Sequence, residues 1–177
     1  MDIYFLRHAN AGEPKLNPAK DDERPLDKLG IEQSHDVGRA LSSLGASMDA
    51  IISSPLPRAE QTASIVAGQI GYKEKVIIDA ALKPGGTYEQ FQQLLAGFGD
   101  KDAIMVVGHN PNLTEFLNQL LGGADTSSAI DLKKGSIARV EKVGRRPAVL
   151  KWYMTPKVVR AIQQASASST RPKAVSK

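Results

Sequence analysis

Short apolar runs alternate with longer amphipathic segments along the chain. That alternation predicts an α/β fold with a mostly parallel central sheet flanked by helices on both faces. Residues 3–6 are the first predicted strand, and a polar, proline-containing loop follows over about 9–25. Leu29, Val37, Ala40, Leu41 and Leu44 recur at helical spacing, which predicts a helix over 26–44 closed by Gly45. Residues 50–52 form a second strand. Ser54-Pro55 offers a cap and a first-turn proline, so a helix is expected from there to about Ile70, where Gly71 stops it. A strand at 76–78 and a helix at 87–96 come next. Residues 103–107 are the most hydrophobic run, expected as a central strand covered on both sides. Asn110-Pro111 repeats the cap-plus-proline start for a helix ending at Gly122-Gly123. Residues 135–143 and 148–154 read as an antiparallel hairpin at the C-terminal edge of the sheet. From about Gln163 there is little to bury. The expectation is one domain over 1–162 and a disordered basic Ser/Ala/Lys tail over 163–177.

Composition narrows the chemistry. The chain has 177 residues, 41 % hydrophobic and 24 % charged, with no stretch approaching 18 uninterrupted apolar residues. It has no cysteine, which excludes disulfides, thiolate nucleophiles, iron–sulfur clusters and cysteine-based zinc sites. The N-terminus opens on an acid and meets Arg7 after four apolar residues, unlike a signal peptide, so a cytoplasmic location is expected. The net charge of +4 is unevenly spread. Residues 1–132 carry 11 basic and 18 acidic side chains, net −7, whereas 133–177 carry 12 basic and one acidic, net +11.

Ligands of open α/β sheets bind beyond the carboxyl ends of the strands. Arg7-His8 follows the first strand, the stretch from Ser53 to Arg58 follows the second, and Gly108-His109-Asn110 follows the central one. Two of these strand ends also open helices, whose first-turn N–H groups favour an anion. Two arginines, two histidines and two helix starts would suit a tetrahedral oxyanion, phosphate above all. Arg7 and Arg58 could fork onto phosphoryl oxygens and offset transition-state charge. His8 is the candidate nucleophile, through a phosphohistidine intermediate, and His109 a phosphate ligand, protonated or donating. One condition attaches. Adjacent strand residues point to opposite faces, so Arg7 and His8 can share a site only if the strand ends there. His35, inside the first long helix, reads as a surface residue.

These same residues resemble the motifs of the histidine phosphatase superfamily. Leu6-Arg7-His8-Ala9 resembles its Arg-His-Gly signature, with Ala9 in place of glycine. The run from Ser53 through Arg58 to Ala63 is similar to its second arginine motif, and Gly108-His109-Asn110-Pro111 to its second histidine motif. Arg24-Pro25-Leu26, followed by Gly30, matches the segment that leads into its first helix. Within the superfamily the chain most resembles the SixA phosphohistidine phosphatases, because its length leaves no room for the capping insertions of mutases and acid phosphatases. The resemblance implies His8 as nucleophile, with Arg7, Arg58 and His109 on the phosphate. It allows Arg24 a place in substrate binding and, with a helix-capping role as the alternative, Asn110 as well. It implies no metal and no cofactor. The general-acid carboxylate of larger relatives has no counterpart between Ala80 and Thr87; Glu89 is the first acid after it.

Imidazole has a reference pKa of about 6.5 and leaves without the proton that an alkoxide needs. The expected function is therefore a metal-independent phosphohistidine phosphatase. Its expected partner is a phosphorylated histidine-containing signalling or phosphotransfer protein. The alternatives are a small-molecule phosphomonoesterase on the same scaffold and a non-catalytic phosphoprotein-binding module. A membrane partner is not expected. A nucleic-acid partner is disfavoured, since only Trp152 and Tyr153 interleave with the C-terminal charges, and strand patterning turns one of them inward.

Overall fold

The computed structural model describes residues 1–122, 130–144 and 146–169, with backbone only over 165–169. A six-stranded sheet runs in the order β3-β2-β4-β1-β5-β6. Four strands are parallel: β1 (Asp2–Arg7), β2 (Ala50–Ser53), β3 (Ile77–Ile78) and β4 (Ala103–Gly108). The hairpin of β5 (Ile137–Glu141) and β6 (Val149–Met154) is antiparallel and joins the sheet through β1. This is the expected α/β architecture, with β4 inside the sheet between β1 and β2.

The period of two along the strands divides the core. Ile3, Phe5, Ala50, Ile52, Ile104 and Val106 face one side, under α4 (Tyr88–Ala96) and α5 (Asn112–Gly122). Tyr4, Leu6, Ile51, Met105 and Val107 face the other, under α2 (Lys28–Ser43) and α3 (Pro57–Gln69). β1 and β4 read as continuous apolar runs because both their faces are covered. On the first side Phe91 stacks on Phe116 with ring centroids 4.7 Å apart and tilts against Phe5 at 5.6 Å. Phe91 is fully buried, so Phe91→Ala should cost about 3–5 kcal/mol by leaving a cavity. Urea unfolding, read as a lower midpoint at unchanged slope, measures this.

Several local expectations change. The 9–25 stretch contains a short helix, α1 (Pro18–Asp22), capped by Asn17. α3 starts at Pro57 with Leu56 at its N-cap, so Ser54 lies before the helix and is free for another role. α5 begins at Asn112, after a cis Asn110-Pro111 bond, and Asn110 does not cap it in the expected manner. Gly123, the expected end of that helix, lies outside the described residues.

The largest change is at the C-terminus. A helix, α6 (Pro156–Ser169), crosses the expected boundary at 162 and packs against α2. Val159 is fully buried, and the Gln163 side chain donates to the Asp36 carbonyl at 2.7 Å. Residues 163–169 are therefore helical; the rest of the expected tail, 170–177, lies outside the described residues. Among the described residues no helix is long and apolar enough to cross a membrane.

Candidate active site

β1 ends where the site requires it to. Arg7 lies opposite Gly108, the last residue of β4, and the His8 amide donates to the Gly108 carbonyl at 3.0 Å. The Gly135 amide then bridges the Arg7 and His8 carbonyls at 3.1 Å each. This pinch stops the pleat, so Arg7 and His8 no longer have to face opposite ways. Gly30, at the start of α2, allows the chain beyond His8 to press in: a Cβ there would sit 1.9 Å from the Asn10 carbonyl oxygen. That close approach explains the glycine after Arg24-Pro25-Leu26.

The structure brings His8, Arg7, Arg58 and His109 together. His8 and His109 are 5 % and 3 % exposed, with ring centroids 4.9 Å apart, and Arg58 is 4 % exposed. Arg7 and Arg58 both bear electrostatically on each imidazole. Each guanidinium is anchored on one side by backbone: Arg7 Nη1 donates to the Leu132 carbonyl at 2.8 Å, and Arg58 Nη1 to the Asp21 carbonyl at 2.8 Å. Arg7 Nε, Arg58 Nε and His109 Nδ1 are buried and have no hydrogen-bond partner among the described residues. Buried donors left unpaired are costly.

The imidazoles are held in defined roles. His8 Nδ1 lies 2.8 Å from the Ala9 carbonyl, which can only accept. Nδ1 therefore carries the proton and Nε2 keeps its lone pair. His109 Nε2 lies 2.8 Å from Ser54 Oγ, whose lone pair also receives the Leu56 amide at 3.3 Å. With the Ser54 hydroxyl donating to Nε2, His109 carries its proton on Nδ1, the unpartnered atom.

Burial, reinforced by the neighbouring Arg58 and Arg7, pushes His8 down to about 3 despite the opposing Ala9 bond. Burial, then His8 and the guanidinia of Arg58, Arg7 and Arg24, push His109 down to about 2. In the free protein His109 is therefore neutral, while a phosphoryl group beside it would favour its protonated form. Two consequences can be measured. NMR titration of His8 and His109 should show neither ring protonating between pH 8 and 5. Stability should fall as pH drops from about 6.5 toward 3, because the unfolded chain takes up protons there while the folded chain does not.

Ser54, Thr62 and Asp21 also shape the site, and the sequence motifs alone did not single out their roles. Thr62 Oγ1 donates to the Arg58 carbonyl at 2.7 Å and accepts the Ala9 amide at 3.1 Å, tying the His8 turn to α3. Its signal was its place one helical turn after Arg58. Asp21 binds Arg24 Nε at 2.9 Å and lies 3.7 Å from Arg58 Nη2. The Arg24 hydrogen bond and the Lys15 amide hold its carboxyl down at about 2.

The outlying candidates take scaffold positions. Arg24 donates to the Ala11 and Gly12 carbonyls and to both Asp21 oxygens, organising the 9–25 segment. It stays close enough to bear on Arg58 and His109. Asn110 accepts the Thr114 hydroxyl at 3.0 Å and donates to the Leu132 carbonyl at 2.9 Å, fastening the segment that anchors Arg7. Glu89 is exposed in the first turn of α4, and no hydrogen bond or ion pair joins it to the four central residues. His35 lines a half-buried groove between α2 and α6. Trp152 packs edge-on against Tyr4, and the Tyr153 hydroxyl bonds Ser136 and the Asp131 carbonyl.

Residues 3–90 match the family model of the histidine phosphatase superfamily, branch 1. An uncharacterised protein of Picosynechococcus sp. PCC 7002 is 34 % identical over 140 residues, spanning 77 % of this chain and 82 % of that one. The chain belongs to the histidine phosphatase superfamily. Its fold matches that of the protein histidine phosphatase SixA complexed with tungstate, with TM-score 0.78 and 23 % identity over 89 % of this chain and 98 % of that one. It also matches a putative alpha-ribazole-5'-P phosphatase of Escherichia coli K-12, with TM-score 0.70 and 18 % identity over 89 % and 98 % of the two chains. Membership in the superfamily supports a phosphatase, that is, a phosphoric hydrolase. Among the described residues no group of three or more histidine, cysteine, aspartate or glutamate side chains could hold a metal ion.

Proposed function

We propose that the protein is a phosphohistidine phosphatase acting on a phosphorylated histidine of a signalling or phosphocarrier protein. One observation carries the choice of substrate. The charged side chains that bear most on His8 and His109 are all cations, and the carboxylate that reaches Arg58, Asp21, is held ionised. Among the described residues the site thus offers charge neutralisation without a carboxylic acid beside His8 to protonate a leaving group. A phosphoester releases an alkoxide and needs that proton. A phosphorylated imidazole carrying a proton on its distal nitrogen releases neutral imidazole and does not.

His8 Nε2 attacks phosphorus while the bond from phosphorus to the substrate nitrogen breaks and its electron pair leaves with the imidazole. Arg7, Arg58 and the Nδ1–H of His109 hold the equatorial oxygens. Water then attacks the phosphoryl group on His8, releasing orthophosphate and restoring the free imidazole. The tungstate in the SixA neighbour is consistent with an oxyanion at this place. The alpha-ribazole-5'-P neighbour shares the fold and marks small phosphomonoesters as the comparison to make.

General acid catalysis contributes about 10²–10⁴ in rate. The purified protein should therefore hydrolyse a phosphohistidine protein with kcat/KM at least about 100-fold above that for phosphoserine peptides or sugar phosphates. Equal turnover of the three would sink the assignment.

A further inference from the structure

Arg7 belongs to the candidate active site and also lines a groove of about 910 Å³. The groove passes between the first turns of α2, the turn at Lys133-Lys134 before β5, and the start of α6. Its charged lining is basic throughout: Arg7, Lys133, Lys134, Lys157 and Arg160. This stands out in a chain whose first 132 residues are net acidic.

Part of that charge stands without a carboxylate: exposed Asp131 also bears on Arg7, but Lys134 and Lys157 have no acidic partner among the described residues. Lys133 meets exposed Asp131, and Arg160 lies 3.6 Å from Asp36, which already binds Arg39. Among the described residues Lys134 reaches the neutral Asn10 amide oxygen, at 3.4 Å, and is close enough to His8 to bear on it electrostatically. Lys157 is exposed and forms no ion pair among the described residues. Leu29, 42 % exposed, adds an apolar contact on the α2 side. The lining holds no aromatic ring on which a nucleic-acid base could stack.

We infer that this groove seats an acidic segment of the phosphoprotein whose phosphoryl group enters between His8 and His109. The inference rests on the protein-substrate reading above, and Arg7 makes groove and site continuous. Carboxylates flanking the phosphorylated residue would meet Lys134, Lys133 and Lys157. The chain's own residues 170–177 carry Arg171, Lys173 and Lys177 and no acid, so their charge opposes occupancy from within. The fold gives α6 a purpose here: it supplies the outer basic wall.

Lys133 and Lys157 are exposed, so the full chain should tolerate the double variant Lys133→Glu/Lys157→Glu. Two phosphohistidine peptides of equal length serve as probes, one flanked by Asp and Glu and one by Ser and Gln. Wild type should favour the acidic peptide about five- to tenfold in kcat/KM, with a preference that shrinks as salt rises. The double variant should lose that preference and leave p-nitrophenyl phosphate hydrolysis unchanged. A preference that survives the charge reversal, or that never existed, overturns the groove. So does competition by a single-stranded oligonucleotide that an acidic peptide of equal charge cannot match. The same pair of flanks on phosphoserine separates the two readings. An acidic preference on phosphoserine without phosphohistidine turnover supports the groove and removes the phosphohistidine assignment.

Discussion

His8→Ala is expected to lower turnover of any phosphorylated substrate by about 10⁴-fold or more, and to abolish covalent labelling of the protein. The size follows from the geometry. Removing the imidazole removes the atom that forms the bond to phosphorus. His109 is the nearest imidazole, but its Nε2 is engaged by Ser54. The experiment is a trap: mix with ³²P-phosphohistidine substrate, quench in base, where phosphohistidine persists, and count label on the protein. Label on wild type and none on His8→Ala is the expected pair of results. Label retained by His8→Ala would refute His8 as nucleophile. His109→Ala is a useful contrast. It should slow labelling by about 10²–10³ through loss of one donor to the phosphoryl oxygens, while still permitting it.

The four central residues were legible in the sequence because each sits at or just beyond the carboxyl end of a strand, Arg58 in the first turn of the helix that follows β2, and strand ends in an open α/β sheet converge. The pleat alone requires β1 to end between Arg7 and His8, but how it ends is not legible in the sequence. The pinch comes from Gly135, more than 120 residues away, which bridges their carbonyls. Ser54 was misread for a physical reason. Serine before proline satisfies the local signal for a helix cap, and only the tertiary position of His109 shows that the hydroxyl serves an imidazole instead. Asn110 failed in the same way: its carbonyl oxygen is taken by Thr114 and its amide by Leu132, partners that a cap signal cannot anticipate.

The composition beyond Gln163 does not announce α6, although its start carries the same signal as two other helices, a polar residue before proline. The Thr155 carbonyl accepts the Val159 amide, and the Thr155 hydroxyl accepts the Val158 amide at 3.4 Å. Its apolar positions are few, and the Ser/Ala composition beyond them reads as unstructured. Packing against α2, through Val159 and Gln163, is what the composition could not reveal.

Arg58→Ala should reduce kcat/KM by about 10²–10³ while leaving the ligand-free protein as stable as wild type or more so. The two effects have one origin. Arg58 is buried, and burial together with Arg24 presses its guanidinium toward losing its proton, against the relief that Asp21 provides. Without an anion the site holds Arg7, Arg58 and Arg24 near two imidazoles that are forced neutral, an arrangement that repels itself. Deleting one cation relieves that repulsion and frees an unpartnered Nε. The same deletion removes the fork that would hold two equatorial phosphoryl oxygens as charge spreads onto them. Arg58→Lys restores charge but not the fork, and should recover only part of the rate. Orthophosphate provides a second readout, since a ligand that binds only the folded state raises its melting temperature. Wild type should be stabilised by phosphate in a concentration-dependent way, and Arg58→Ala should lose most of that shift. If Arg58→Ala melts several degrees lower without phosphate and keeps the full phosphate shift, Arg58 is a structural strut for the Asp21 segment. The oxyanion would then rest on Arg7 and His109.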